Sequence, residues 1–148
     1  MNDNAVIVRL PAVPESLATA TAFVEERAQA LGMPAMQLPT LDLLLEEVVV
    51  NVYSHAYKDQ GGTLEVEVYP QEQAGKISGV CLVVRDWGTP FNPLSATPPD
   101  TTQSVEDRPI GGLGLLLVEE MATSCRYRYV DGTNELTMCL DIQDETTP

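Results

Sequence analysis

The stretch "TLEVEVYPQ", residues 63–71, alternates apolar and polar side chains. That period of two puts the apolar set on one face of a β-strand and the polar set on the other, so the strand has one covered face and one wet face. The more apolar "KISGVCLVVRD", residues 76–86, follows after a short break. It reads as the hairpin partner, nearer the centre of the sheet. A sheet with one wet face needs a second layer on its other face only. Two segments can supply it: "PESLATATAFVEERAQALG" (14–32) and the helix that carries "LLLEEVVVNVYSHAY" (43–57).

The first of these helices is expected to place Leu17, Phe23, Val24 and Leu31 among its apolar positions and to stop at Gly32. Pro34 and Pro39 are expected to break the chain, with Thr40 capping the second helix, which should end near Tyr57 to Gly62. "AVIVRLP" (5–11), "SCRYRYV" (124–130) and "NELTMCLDI" (134–142) read as strands, the last two joined by the turn signal "DGT". "GLGLLLVEEMA" (112–122) reads as a third helix. The resulting order predicts an α/β (α+β) two-layer sandwich with helices on one face of a mixed sheet. At 148 residues the chain suits a single domain spanning 1–148.

Charge narrows the partners. Eight basic residues against 22 acidic ones give a net charge of −14. Such a surface repels phosphate backbones, so no direct nucleic-acid partner is expected, whereas a basic protein surface suits it. A nucleotide site would need local help from backbone amides, an arginine or a metal. No run reaches the roughly 18 apolar residues of a membrane helix, and "MNDNAVIVRL" does not read as a signal peptide, so a cytoplasmic location is expected. Cys81, Cys125 and Cys139 match no zinc spacing and read as buried thiols within strands.

Three groups of polar residues interrupt this pattern. Glu47, Asn51 and His55 recur every four residues on a helix that is otherwise nearly all apolar, and so share a stripe. Asp86 follows Val80, Leu82 and Val84 on one face of its strand and sits at the edge of the core, where it could accept a hydrogen bond from the amino group of an inserted ring. Gly88 would permit a close approach or an unusual dihedral. Gly111, Gly112 and Gly114 stand at a helix start, where free amides attract anions, with Arg108 upstream. Each group alone has a plain alternative. Asn51 could cap a loop while Glu47 faces water, Asp86 could form an Asx-turn, and the glycines could be a simple loop. Glu46 reads as a surface residue, His55 as a structural hydrogen-bonder, and Trp87 as a cover for the core, with packing beside a nucleotide site as its alternative.

Together and in this order, the groups resemble the Bergerat-fold ATPase superfamily, which includes the histidine kinases. Within it the chain is most similar to the small anti-sigma factor serine/threonine kinases. "EVVVN" (47–51), "HAY" (55–57), "DWGTPF" (86–91), "GGLGLLLV" (111–118) and "YRYVDGTNEL" (127–136) carry the likeness. The resemblance implies ATP and Mg²⁺ as cofactors. It implies that Asn51 binds the metal, that Asp86 and Gly88 hold the adenine end, and that residues 92–110 form an ATP lid. Arg108, Gly111, Gly112, Leu113 and Gly114 would line the phosphates, and Glu47 would be the catalytic base. It further implies a STAS-domain anti-sigma antagonist as substrate, a sigma factor as a second partner, and a homodimer. A binding module that phosphorylates nothing is the alternative. The chain departs from the pattern near Thr123, where relatives commonly have aspartate, and at Glu119 and Glu120, where they often carry basic residues.

Overall fold

The computed structural model describes residues 6–57, 61–90 and 120–143, apart from the side chains of residues 55 and 56. In chain order the elements are β1 (Val6–Pro11), α1 (Ser16–Ala30), α2 (Leu38–Asn51), β2 (Thr63–Gln73), β3 (Lys76–Asp86), β4 (Ser124–Val130) and β5 (Thr133–Asp141). The strands form one sheet in the order β1-β2-β3-β5-β4, so β3 is central, as its apolar sequence implies. A mixed sheet was expected, but all the pairings among the described residues are antiparallel. The β2–β3 and β4–β5 neighbours are hairpins. Asp131 and Gly132, at φ 52° and 81°, make the tight turn of the second one.

The helices cover one face. Leu64, Val66 and Val68 of β2, Val80, Leu82 and Val84 of β3, and Leu136, Met138 and Leu140 of β5 meet α1 and α2 in one core. The deepest face of α1 is Ser16, Ala20, Val24 and Ala28. These small residues at a spacing of four let the helix lie close to its neighbours. Leu17 and Phe23, two of the expected apolar positions, are partly buried and pack against the core. Gly32, at φ 106°, ends the segment as expected.

The start of α2 corrects the expected boundary. Pro39 does not break the chain; it lies in the first turn of α2, and Thr40 lies inside the helix instead of capping it. Proline is favoured there because its missing N–H would have had no helical partner. The preceding Gln37 is buried and latches this end to the sheet. Its Nε2 donates to the Asp141 carbonyl (2.9 Å) and its Oε1 accepts from the Gln143 N–H (2.8 Å).

The face of the sheet away from α1 and α2 carries a ladder of charges. Arg85 on β3 reaches Glu65 (3.0 Å), Glu67 (2.6 Å) and Glu135 (2.8 Å). Arg9 and Arg128 extend the ladder at its two ends, each 2.9 or 2.8 Å from Glu65 or Glu135. Burial opposes the charge on Arg85, but its bonds to Glu135 and Glu67 outweigh it and raise its pKa. For Glu135 burial pushes upward, yet Arg85 and Arg128 lower its pKa overall. On the same face, Cys81 and Cys139 are direct ladder partners joined by a disulfide. This corrects the reading of those two cysteines as simple buried thiols. Cys125 is not part of the bond.

Between the helices, Asp42 of α2 faces Glu25 of α1. Burial, then the hydrogen bond and charge of Glu25, push the Asp42 pKa from 3.8 up to about 7. A group with a raised folded-state pKa stabilises the fold fully below its unfolded value, and that contribution is lost as pH rises through the folded value. The wild type is therefore expected to lose urea resistance between about pH 4 and pH 7 relative to Asp42→Asn. Parallel urea midpoints for the two proteins across that range would show that Asp42 does not titrate this way.

Candidate functional site

Asp86 ends β3 on the core face and is buried. Its nearest partner comes from β5. Asn134, paired with Asp86 in the strand ladder, donates its Nδ2 to Asp86 Oδ1 at 2.8 Å. The Gly88 N–H donates to the same oxygen at 2.9 Å. Both bonds fall on Oδ1, so among the described residues the second carboxylate oxygen keeps its acceptor capacity. Burial raises the Asp86 pKa, and the bonds from Asn134 and Gly88 only partly oppose it. Gly88 thus acts through its N–H in an Asx-turn; it is not among the glycines with positive φ.

Asn134 also ties down the turn beyond Asp86. Its Nδ2 lies 3.1 Å from the Thr89 carbonyl and 3.4 Å from that of Gly88. On its other side the Tyr127 hydroxyl donates to Asn134 Oδ1. Asn134 was not among the site residues expected from sequence. The signal was present: it shares a face with Leu136, Met138 and Leu140, as Asp86 does with Val80, Leu82 and Val84.

Glu47 and Asn51, from the first group of expected residues, lie on α2. Leu41, Leu44, Leu45, Val48 and Val49 anchor the helix in the core, while Glu46 is exposed, as expected, and Glu47 is half-buried. Asn51 is buried and donates its Nδ2 to the Glu47 backbone carbonyl at 2.6 Å. Among the described residues no loop is capped by Asn51. Burial, then the charge of Glu46, raises the Glu47 pKa.

The side chain of His55, the third member of the expected stripe, lies outside what is described. After Asn51 the helix widens into a π-helical turn, Val52–Ala56. Such turns are common at functional sites. Tyr57 then closes the segment. Its hydroxyl donates to the Thr63 carbonyl (2.7 Å) and accepts the Trp87 N–H (2.8 Å), so it clasps the end of the α2 segment to the residue after Asp86. The ring lies so close to Gly62 that a Cβ there would sit 2.3 Å from it. Trp87 does not cover the core. Its side chain is exposed, with the Arg9 guanidinium 5.6 Å from the ring centroid. Arg9, Tyr57, Thr63 and Trp87 line a cleft of about 460 Å³ beside this clasp.

Removing the Tyr57 hydroxyl should cost about 1–2 kcal/mol, because a donor and an acceptor are lost at once. Urea unfolding of Tyr57→Phe measures it, followed by emission of the single tryptophan, Trp87. An unchanged midpoint would mean that the clasp contributes nothing.

Phe91, the expected lid at 92–110, Arg108, Gly111, Gly112, Leu113 and Gly114 lie outside the described residues, as do Glu119 and the start of the third helix. At Thr123, the position of the departure from relatives, the backbone N–H donates to the Cys139 carbonyl (2.7 Å). Its hydroxyl accepts the Asp141 N–H (3.0 Å). Thr123 thus fastens the start of β4. Among the described residues, no group of three or more His, Cys, Asp or Glu side chains could hold a metal ion, and no helix is long and apolar enough to cross a membrane.

Residues 10–140 match the family of histidine kinase-like ATPase domains. The chain belongs to that family. Within the family it is 26% identical to the serine-protein kinase RsbW of Listeria monocytogenes over 134 residues, which cover 87% of this chain and 82% of the relative. It is 29% identical over 99 residues to the serine/threonine-protein kinase BtrW of Bordetella bronchiseptica, 67% of each chain. The crystal structure of the RsbU and RsbW domains of a Mycobacterium tuberculosis protein superposes with a TM-score of 0.60 at 17% identity. That match covers 93% of this chain but 32% of the other, so this chain spans about a third of that protein. The expected Bergerat fold and the likeness to anti-sigma factor kinases are borne out.

Proposed function

We propose that this chain is an ATP-dependent serine/threonine protein kinase that acts as an anti-sigma regulatory factor and phosphorylates a STAS-type antagonist. Family membership and the serine-kinase relatives support a kinase-like regulatory role in general. The observation that supports the finer reading is the buried Asp86, whose second carboxylate oxygen keeps its acceptor capacity among the described residues; the proposal adds Asn51 and Glu47, one turn apart on α2. The remaining Asp86 oxygen suits an adenine amino group, which needs an acceptor. The Asn51 oxygen suits Mg²⁺, a hard cation that takes oxygen ligands and retains water. The metal would neutralise charge on the phosphates. Glycines 111, 112 and 114, Leu113 and Arg108 complete the phosphate end in this proposal, with residues 92–110 as lid and 1–148 as one domain.

Glu47 lies one helical turn before Asn51. In the proposed reaction it accepts the proton of a substrate serine or threonine hydroxyl. The hydroxyl oxygen bonds to the γ-phosphorus, and the bond from that phosphorus to ADP breaks. Phosphoryl transfer asks mainly for alignment and charge stabilisation, and a carboxylate with a raised pKa is a better base near neutral pH. The acidic surface of the chain suits a partly basic protein partner.

The test mixes the chain and γ-labelled ATP with STAS-domain proteins from the same genome. Transfer of label to a serine or threonine is expected. Tight binding of such a protein with no transfer would replace the kinase reading by that of a binding module.

A further inference from the structure

We propose that Cys81 and Cys139 form a reversible dithiol/disulfide couple, which sets how firmly β3 and β5 are held together around Asp86 and Asn134. The inference is independent of the ATP assignment. The two cysteines face each other in a ladder that runs from Gly79 opposite Asp141 to Asp86 opposite Asn134. The ladder does not need the bond, because backbone pairing and the core on the other face already fix its register. A reduced chain would therefore keep both thiols side by side, at a high effective concentration, and the bond could close again without rearrangement.

Placement separates this pair from the third cysteine. Cys81 and Cys139 alternate with Val80, Leu82, Met138 and Leu140, which enter the core, so both sulfurs lie on the face away from α1 and α2. Cys125 pairs with Met138 and packs against the core on the opposite face. It cannot reach the bond through the sheet to compete for it. Both cysteines are buried, Cys139 at 7% and Cys81 at 2% exposure, and the exchange is proposed to start at Cys139, the more exposed residue.

The chemistry is ordinary thiol–disulfide exchange. An external thiolate bonds to Cys139 Sγ, the Sγ–Sγ bond breaks, and Cys81 leaves as a thiolate that takes up a proton. A second external thiol then releases Cys139 and is oxidised together with the first. Two low-molecular-weight thiols become one disulfide, and the protein gains two thiols. Closure is the reverse, with a low-molecular-weight disulfide as oxidant. The bond spans a sequence separation of 58, so opening it restores freedom to a long loop of the unfolded chain. The reduced protein should melt roughly 10 °C lower.

The full chain, reduced with dithiothreitol and then exposed to oxidised glutathione, tests this. Alkylation after unfolding should count three thiols in the reduced chain and one in the oxidised chain, with the melting shift between them. Cys125→Ser should keep the shift, and Cys81→Ser should melt alike in both states. The wild-type comparison stands even if Cys81→Ser does not fold. Hydrogen exchange of the Val80–Asp86 amides should quicken on reduction. Three thiols persisting with glutathione, a stable glutathione adduct, an unfolded reduced chain, equal melting of the two states, or unchanged exchange would each overturn the proposal.

Discussion

Glu47→Gln is expected to lower phosphoryl transfer by about 10²–10⁴-fold while leaving ATP affinity nearly unchanged. The substitution keeps the size of the side chain but removes its ability to accept a proton. Glu47 does not hold Asn51 through its side chain; the Asn51 Nδ2 bonds to the Glu47 backbone carbonyl, which glutamine retains. The variant therefore isolates proton transfer from site geometry. The pH profile carries the same logic. The Glu47 pKa is raised by burial and by Glu46, so activity should fall on the acid side at a pH above the usual glutamate range. Glu46 is exposed, and Glu46→Gln removes only a neighbouring charge, so that acid limb should move to lower pH. Single-turnover rates across pH, for wild type and both variants, check this. Full transfer by Glu47→Gln would remove the assigned base.

Asp86→Asn is expected to weaken ATP binding by about 100-fold or more. Asparagine can still accept the Asn134 and Gly88 bonds through its oxygen. Its amide nitrogen then stands where the second carboxylate oxygen was, and presents a donor to the adenine amino group, itself a donor. Inosine triphosphate carries an acceptor at that ring position and should lose much less affinity, or gain. Calorimetric titration with both nucleotides measures the difference. Equal losses for the two would mean that Asp86 does not read the base edge. Because the charged form is disfavoured by burial, the variant should remain folded at neutral pH.

The strands were legible because alternation is a local signal. Leu64, Val66 and Val68 against Glu65 and Glu67 state which face is covered, and Asp86 could be placed at the core edge by counting back to Val80. The partner of Asp86 was harder to see. Asn134 is 48 residues away in sequence, and the register that brings it opposite is set by the whole β3–β5 ladder. The Cys81–Cys139 bond was missed for the same reason. Two apolar strands each holding one cysteine do not say which residues face each other. The helix boundary at Pro39 failed differently: a proline reads as a break, or as a first turn, depending on whether the preceding segment is anchored, and Gln37 supplies that anchor by bonding to the end of β5. The π-helical turn after Asn51 left no mark in a segment whose apolar residues fit several helical periods.

The pairing of Asn51 with Mg²⁺ is the step on which the whole site assignment turns, and calorimetric titration of ATP with and without Mg²⁺ tests it most directly. Wild type should bind ATP more tightly when Mg²⁺ is present, and Asn51→Ala should lose that dependence while its metal-free affinity stays close to wild type. Undiminished Mg²⁺-dependent affinity in Asn51→Ala would contradict the assignment.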